Sequence, residues 1–182
     1  MAAMTEMSIN VPDAFDDMVT NEGNQLKTLS FESPVLLVFL RHFGCAFCRA
    51  SLIELAEKRE SYTDMGVKIV FVHMSDYDTA EEYFERYNLK GAEHISDPEC
   101  EYYQSFGIVK GNLNQLFGLS SLMKGFSYTF KKGHGWGRII GDGFQMPGVF
   151  LINQGAIKDS FIYKTVSDEP DYDRLVACCQ TD

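Results

Sequence analysis

The sequence predicts a single α/β domain with a central mixed sheet flanked by helices. Three features carry this expectation. Val35 to Leu40 is a continuous apolar run. Val67 to His73 is a second run rich in β-branched residues, separated from the first by a stretch of helical periodicity. Near the end, Val149 to Ile152 and Ala156 to Tyr163 flank Asn153-Gln154-Gly155. A strand-length apolar run reads as a strand buried on both faces, typically parallel. Strand, helix and strand in alternation imply a parallel pair. Two strand runs joined by a tight Gly-containing turn read as a hairpin.

The remaining elements follow in order. Residues 1 to 24 read as an N-terminal leader ahead of a domain spanning 25 to 182. Within that leader, Asp13 to Val19 could form a short helix after Pro12, and Asn21 to Asn24 a turn. Gln25 to Phe31 alternates enough to predict a strand. Cys45 to about Thr63 reads as a helix that ends at Gly66. Thr79 to Tyr87 reads as a helix started by Asp76 or Asp78. A short helix is expected over Glu99 to Phe106 and another over Asn112 to Lys124. Gly125 to Gly143 is glycine-rich and loop-like. Asp171 to Cys179 reads as a closing helix. Parallel strands first, a hairpin last and a terminal helix make the thioredoxin-like order.

Composition narrows the function. The chain has 182 residues, 45% hydrophobic and 23% charged, which suits one globular domain. Its formal net charge of -10 repels phosphate backbones and anionic lipid, so neither nucleic acid nor membrane is expected as a partner. No run approaches a bilayer span. The first 30 residues show no basic segment followed by an apolar one, so a reducing, cytoplasmic setting is expected. Five cysteines are too few and too unevenly spaced for a disulfide scaffold.

The informative pair is Cys45-Ala46-Phe47-Cys48. It falls where a buried strand ends and a helix begins. Unpaired N–H groups and the positive end of the helix dipole favour a thiolate there. Cys48, Leu52, Leu55 and Arg59 share one helix side, and the leucines make that side core-facing. Cys48 therefore points inward, and Cys45 is expected to be the more exposed, attacking thiol with Cys48 resolving. Arg41 and Arg49 flank the motif and favour a thiolate. Two other readings stand beside this one. A structural zinc site would need four ligands, and only Cys100, Cys178-Cys179 and scattered histidines remain, so no metal is expected. Two inert core thiols are the other reading. Gly141-Asp142-Gly143 does not open a helix after a strand, so no dinucleotide is expected, nor any other cofactor.

Several stretches also resemble a known family. Arg41-His42-Phe43-Gly44-Cys45-Ala46-Phe47-Cys48-Arg49, Asp97-Pro98-Glu99 followed by Tyr103 to Gly107, and Pro147-Gly148-Val149-Phe150 resemble the peroxiredoxin-like branch of the alkyl hydroperoxide reductase/thiol-specific antioxidant (AhpC/TSA) group. That branch includes proteins similar to selenoprotein L. The resemblance implies a thioredoxin fold and a redox-active Cys45–Cys48 pair. It also implies a cis peptide at Met146-Pro147, with the proline loop helping to hold substrate. The chain departs from thioredoxins, which carry Trp-Cys-Gly-Pro-Cys and a buried Asp six residues earlier. Gly44 and Phe39 stand at those places, which leaves His42 or a water to handle protons. Overlaying the peroxiredoxin motif Thr-x-x-Cys would instead make Cys48 the attacking residue. The arginine that peroxiredoxins place before their Gly-hydrophobic-Phe strand is replaced by Pro147, leaving Arg41, Arg49 or Arg138 as substitutes.

The expected function is thiol–disulfide exchange at Cys45 and Cys48 on a protein disulfide or peroxide, with an external thiol as electron donor. The site would be supported by Pro147, Met146, Arg49, Arg41, His42 and Phe47. Alternatives are a peroxidase attacking through Cys48, and a non-catalytic module that binds peptide beside Pro147. Cys178-Cys179 reads as a helix thiol and its neighbour, or as an electron relay. Gly133 to Gly137, with His134 and Trp136, reads as a flap or a surface loop. Phe43, Phe47 and the Phe117 to Phe130 stretch offer apolar surface by which two copies could meet as an oligomer.

Overall fold

A computed structural model describes residues 9–117 and 141–179. Its strands are β1 (Ile9–Asn10), β2 (Val35–Phe39), β3 (Lys68–His73), β4 (Glu93–Ser96), β5 (Gly148–Asn153) and β6 (Ala156–Ile162). Its helices are α1 (Leu26–Glu32), α2 (Ala46–Asp64), α3 (Tyr77–Arg86), α4 (Glu101–Ser105), α5 (Leu113–Phe117) and α6 (Tyr172–Ala177). The six strands form one mixed sheet in the order β1-β6-β5-β2-β3-β4. The most apolar run, β2, lies inside it, parallel to β3 and antiparallel to β5. Every residue of β2 is buried, as a strand covered on both faces requires.

The C-terminal ends of β2 and β3 are where the site is built, and aromatic packing fixes both. Phe39 meets the rings of Tyr103 and Phe106 at centroid distances of 5.0 Å, and Phe150 at 5.7 Å. Tyr103 Oη donates to the carbonyls of Leu40 and Val72, bridging the ends of both strands. The loop after β2 is held by Phe43, which stacks on Tyr83 of α3 at 4.6 Å and meets Phe84 edge-on. Phe43 is therefore buried and offers no surface to a second copy.

Two expectations at the N-terminus are corrected. Gln25 to Phe31 is not a strand: Leu26 to Glu32 is helical, with Leu26, Leu29 and Ser30 buried at i, i+3 and i+4. Ser30 caps the hairpin, its carbonyl accepting from Gln154 N–H at 2.7 Å and its Oγ from Gly155 N–H at 3.2 Å. The reading of residues 1–24 as a leader also fails over its described part. Phe15 and Met18 are fully buried in the core, and Ile9–Asn10 pairs with β6. The turn at Asn21 covers the outer edge of β4, exchanging bonds of 2.8 and 2.9 Å with the His94 backbone. Strand β4 was not expected, since Glu93-His94-Ile95-Ser96 is short and mostly polar.

The other elements lie close to expectation. Asp76 caps α3 by accepting from Thr79 N–H at 2.8 Å. Asp97 accepts from the N–H groups of Glu101, Tyr102 and Tyr103 and so starts α4. Gly66, at φ 75°, ends α2. The helix expected over 112–124 is seen as Leu113–Phe117. Its remainder, Arg138 and the stretch with His134 and Trp136 lie outside the described residues. No helix among the described residues is long and apolar enough to cross a membrane.

Candidate active site

Cys45 is the N-cap of α2 and is still extended, at φ -76° and ψ 125°, while Cys48 completes the first helical turn. The loop turns into the helix through the Cys45 N–H, which donates to the His42 carbonyl at 3.0 Å. Both thiols are free. Contrary to expectation, they are almost equally covered, at 6% and 5% exposure. What separates them is electrostatics. The S–H of Cys48 donates to the Cys45 sulfur, and this outweighs the burial that opposes charge there. The Arg41 guanidinium beside the sulfur adds its charge. Together they hold the Cys45 thiol well below the usual thiol range. Cys48 moves the other way: its S–H keeps its proton while donating to Cys45, and this together with burial holds its pKa well above the usual thiol range. One proton is thus shared by a pair, with the negative charge at Cys45.

Both sulfurs open into a cleft between α2, the end of β2 and the chain entering α6, with Phe47, Pro147, Tyr163 and Tyr172 among its walls. The expected residues divide over this site. Arg41 lines the cleft and Phe47 is half-buried along it. Arg49 is buried and reaches the Gly44 carbonyl at 3.4 Å. Pro147 lines the cleft just before β5, whereas Met146 is buried behind it, its sulfur 2.7 Å from where a Cβ at Gly111 would stand. The peptide between them is trans, since no cis bond occurs among the described residues. The expected cis peptide is thus absent, and the adjoining Gln145 backbone is bridged to Lys110. His42 is buried, and burial with two neighbouring arginines lowers its pKa to about 4, so it is neutral at pH 7. It offers the site its backbone carbonyl. It does not line the cleft.

The other cysteines stand apart. Cys100 is buried at the start of α4, and burial pushes its thiol up to about 11. Cys178 is exposed, with Sγ 3.8 Å from Asp159 Oδ2, and Cys179 is partly buried against the core. Neither lines the cleft. No group of His, Cys, Asp and Glu able to hold a metal occurs among the described residues. Residues that sequence reasoning missed are Glu54, Tyr163 and Tyr172, which line the cleft, and Gly143, whose carbonyl accepts from Arg41. Glu54 lies on the expected helix and carried a helical signal. The other three come from distant segments with no local signature.

A free dithiol thus stands at a helix N-terminus on a mixed sheet whose hairpin follows its parallel strands, the arrangement of a thioredoxin-like fold. The AhpC/TSA antioxidant enzyme family profile matches residues 54–165, more than half of the sequence, and the chain belongs to that family. The matched span begins after Cys48. A chloroplastic thioredoxin-like protein AAED1 of Arabidopsis thaliana is 29% identical over 169 residues, covering 86% of this chain and 67% of its own length. A prostamide/prostaglandin F synthase of Salmo salar is 28% identical over 154 residues, covering 84% and 75%. Among solved structures, peroxiredoxin Q of Xanthomonas campestris superposes with a TM-score of 0.67 at 13% identity, over 97% of this chain and 98% of that one. That likeness shows the fold.

Proposed function

We propose that this protein is a thiol-dependent oxidoreductase that reduces a hydroperoxide or a disulfide, with Cys45 attacking and Cys48 resolving. The observation that carries this reading is position: Cys45 caps the start of α2 and shares its cleft with Arg41, whose charge favours the thiolate at Cys45. An overlay that assigns attack to Cys48 would place the charge on the sulfur that burial and its neighbour hold protonated.

With a hydroperoxide, the Cys45 thiolate attacks the distal oxygen. The O–O bond breaks, a sulfenic acid forms and the alcohol leaves with a proton from solvent. The Cys48 sulfur then attacks the Cys45 sulfur, closing a disulfide and releasing water. With a disulfide substrate, Cys45 forms a mixed disulfide and expels one thiolate. Cys48 loses its proton, attacks the Cys45 sulfur and expels the other. In either case two equivalents of an external thiol restore the dithiol and leave as their disulfide. Sulfur carries all of this chemistry, with no cofactor. A reducing, cytoplasmic setting, as the sequence suggests, would supply such a donor.

The test follows loss of hydrogen peroxide, an organic hydroperoxide or a model disulfide in the presence of a thiol reductant. Cys45→Ser is expected to abolish turnover, and Cys48→Ser to reduce it by at least about tenfold by leaving the intermediate unresolved. Turnover that survives Cys45→Ser but is lost with Cys48→Ser would reverse the roles. A wild type inert toward all three oxidants would favour a non-catalytic peptide-binding module.

A further inference from the structure

Arg41 is tied down at its far end. Its Nη2 donates to the carbonyl of Gly143, and the turn that carries this carbonyl is fixed at several points. Asp142 Oδ1 accepts from the Phe144 N–H at 2.8 Å, and the Asp142 carbonyl accepts from the Gln145 N–H at 3.2 Å. Gly111 N–H donates to the Phe144 carbonyl at 2.7 Å, and Lys110 and Gln145 form an antiparallel bridge. Gln145 is fully buried, and its Nε2 donates to the Ile108 carbonyl at 3.0 Å. The second oxygen of Asp142, Oδ2, pairs with Lys110 Nζ at 2.6 Å, with the Asp142 side chain only 28% exposed. One carboxylate thus serves two ends. Oδ1 shapes the turn, and Oδ2 anchors it to the segment after α4.

We propose that Asp142, clamped by Lys110, is a positioning residue for the reactive cysteine: it fixes the turn whose Gly143 carbonyl holds Arg41 against the Cys45 sulfur. The inference rests on the reading of Cys45 as the thiolate nucleophile and deepens it.

Charge and position predict opposite signs here. A carboxylate near Arg41 and Cys45 opposes a thiolate by repulsion, so loss of its charge alone would make Cys45 more acidic. A carboxylate that holds Arg41 in place favours the thiolate, so its loss would make Cys45 less acidic.

The experiment is the pH profile of Cys45 alkylation in the full chain, with thermal unfolding measured on the same samples. The variants are Asp142→Asn, Asp142→Ala, Arg41→Met and the Arg41→Met/Asp142→Ala pair. Asp142→Ala is expected to displace the profile upward by about one pH unit, which lowers the rate by on the order of tenfold near pH 4, below the wild-type midpoint, and by only about twofold at pH 6. Asp142→Asn is nearly isosteric and keeps the Oδ1 acceptor but loses the ion pair, so it should fall between wild type and alanine. The double variant should match Arg41→Met alone, because a positioning residue has nothing left to position. Profiles of the Asp142 variants that stay put or move to lower pH would overturn the proposal, as would a displacement that adds in full to that of Arg41→Met. If Arg41→Met itself leaves the profile unchanged, the proposal falls together with Arg41's part in the proposed mechanism. A displaced profile with Arg41→Met but an unchanged one with Asp142→Ala overturns the clamp alone.

Discussion

At the scale of single residues, the two cysteines of the motif differ by where a proton sits more than by how deeply they are buried. The sequence showed the spacing and the helix start, and helical phase correctly turned Cys48 toward Leu52 and Leu55, which are both fully buried. It could not show that Cys45 is equally covered, because the cover comes from residues far along the chain such as Pro147 and Tyr163. The distinction has a direct kinetic signature. An ordinary thiol with a pKa near 8.5 gains roughly 80-fold in thiolate between about pH 6 and pH 8. Cys45, held well below that range, is already ionised at the lower end. Its alkylation rate should therefore change by less than about threefold over that window, measured by mass spectrometry of labelled peptides. Cys100, pushed up to about 11 and buried, should stay unlabelled throughout. A Cys45 rate that climbs with the ordinary slope would show that the neighbouring donors do not act on it.

At the scale of elements, strands β3 and β4 are joined by a buried polar chain that the mechanism does not use. His73 Nε2 lies 2.7 Å from His94 Nδ1, Ser75 Oγ lies 3.1 Å from His73 Nδ1, and His94 Nε2 lies 3.1 Å from Glu81 Oε1. The Glu81 carboxylate accepts, so His94 Nε2 carries hydrogen and its Nδ1 must accept. His73 Nε2 then donates, and its Nδ1 accepts from Ser75. This order leaves no room for a second proton on either ring. Burial lowers the pKa of both, and of His73 to about 3. The sign follows: the folded state excludes a proton that the unfolded state takes up near pH 6.5. Stability is full above that pH and falls as pH drops toward 3, by up to about 1.4 kcal/mol per pH unit for each histidine. Denaturant unfolding between about pH 7 and pH 4.5 should show this slope, and His73→Gln should flatten it. A slope unchanged in that variant would assign acid sensitivity to other groups. The elements here were only half legible. The run ending at His73 was plain, but β4 is four residues long and mostly polar, and it is buried because α3 and the Asn21 turn cover it.

At the scale of the whole molecule, the parallel pair and the hairpin were legible because they depend on long apolar runs. The central strand, its parallel neighbour and the Asn153-Gln154-Gly155 turn each carry their pattern locally. What could not be read is the way that three separated segments converge on one cleft. The loop after β2 brings Arg41 and Cys45, the residue before β5 is Pro147, and the chain leading into α6 brings Tyr163 and, as the first residue of that helix, Tyr172. Nor did the N-terminal residues announce that Phe15 and Met18 complete the core, because a few apolar residues among acidic ones carry no clear periodicity. The family pattern suggested a cis peptide at Met146-Pro147, yet that bond is trans.

The central claim is that Cys45 attacks and Cys48 resolves. It is tested most directly by trapping: a stoichiometric disulfide reagent is added to the Cys48→Ser and Cys45→Ser variants under native conditions, and the adduct is located by peptide mass spectrometry. Attack by Cys45 predicts a stable mixed disulfide on Cys45 in the Cys48→Ser protein, and none on Cys48 in the Cys45→Ser protein on the same time scale. A rapid adduct on Cys48 with Cys45 replaced would contradict it and move the nucleophile one helical turn inward.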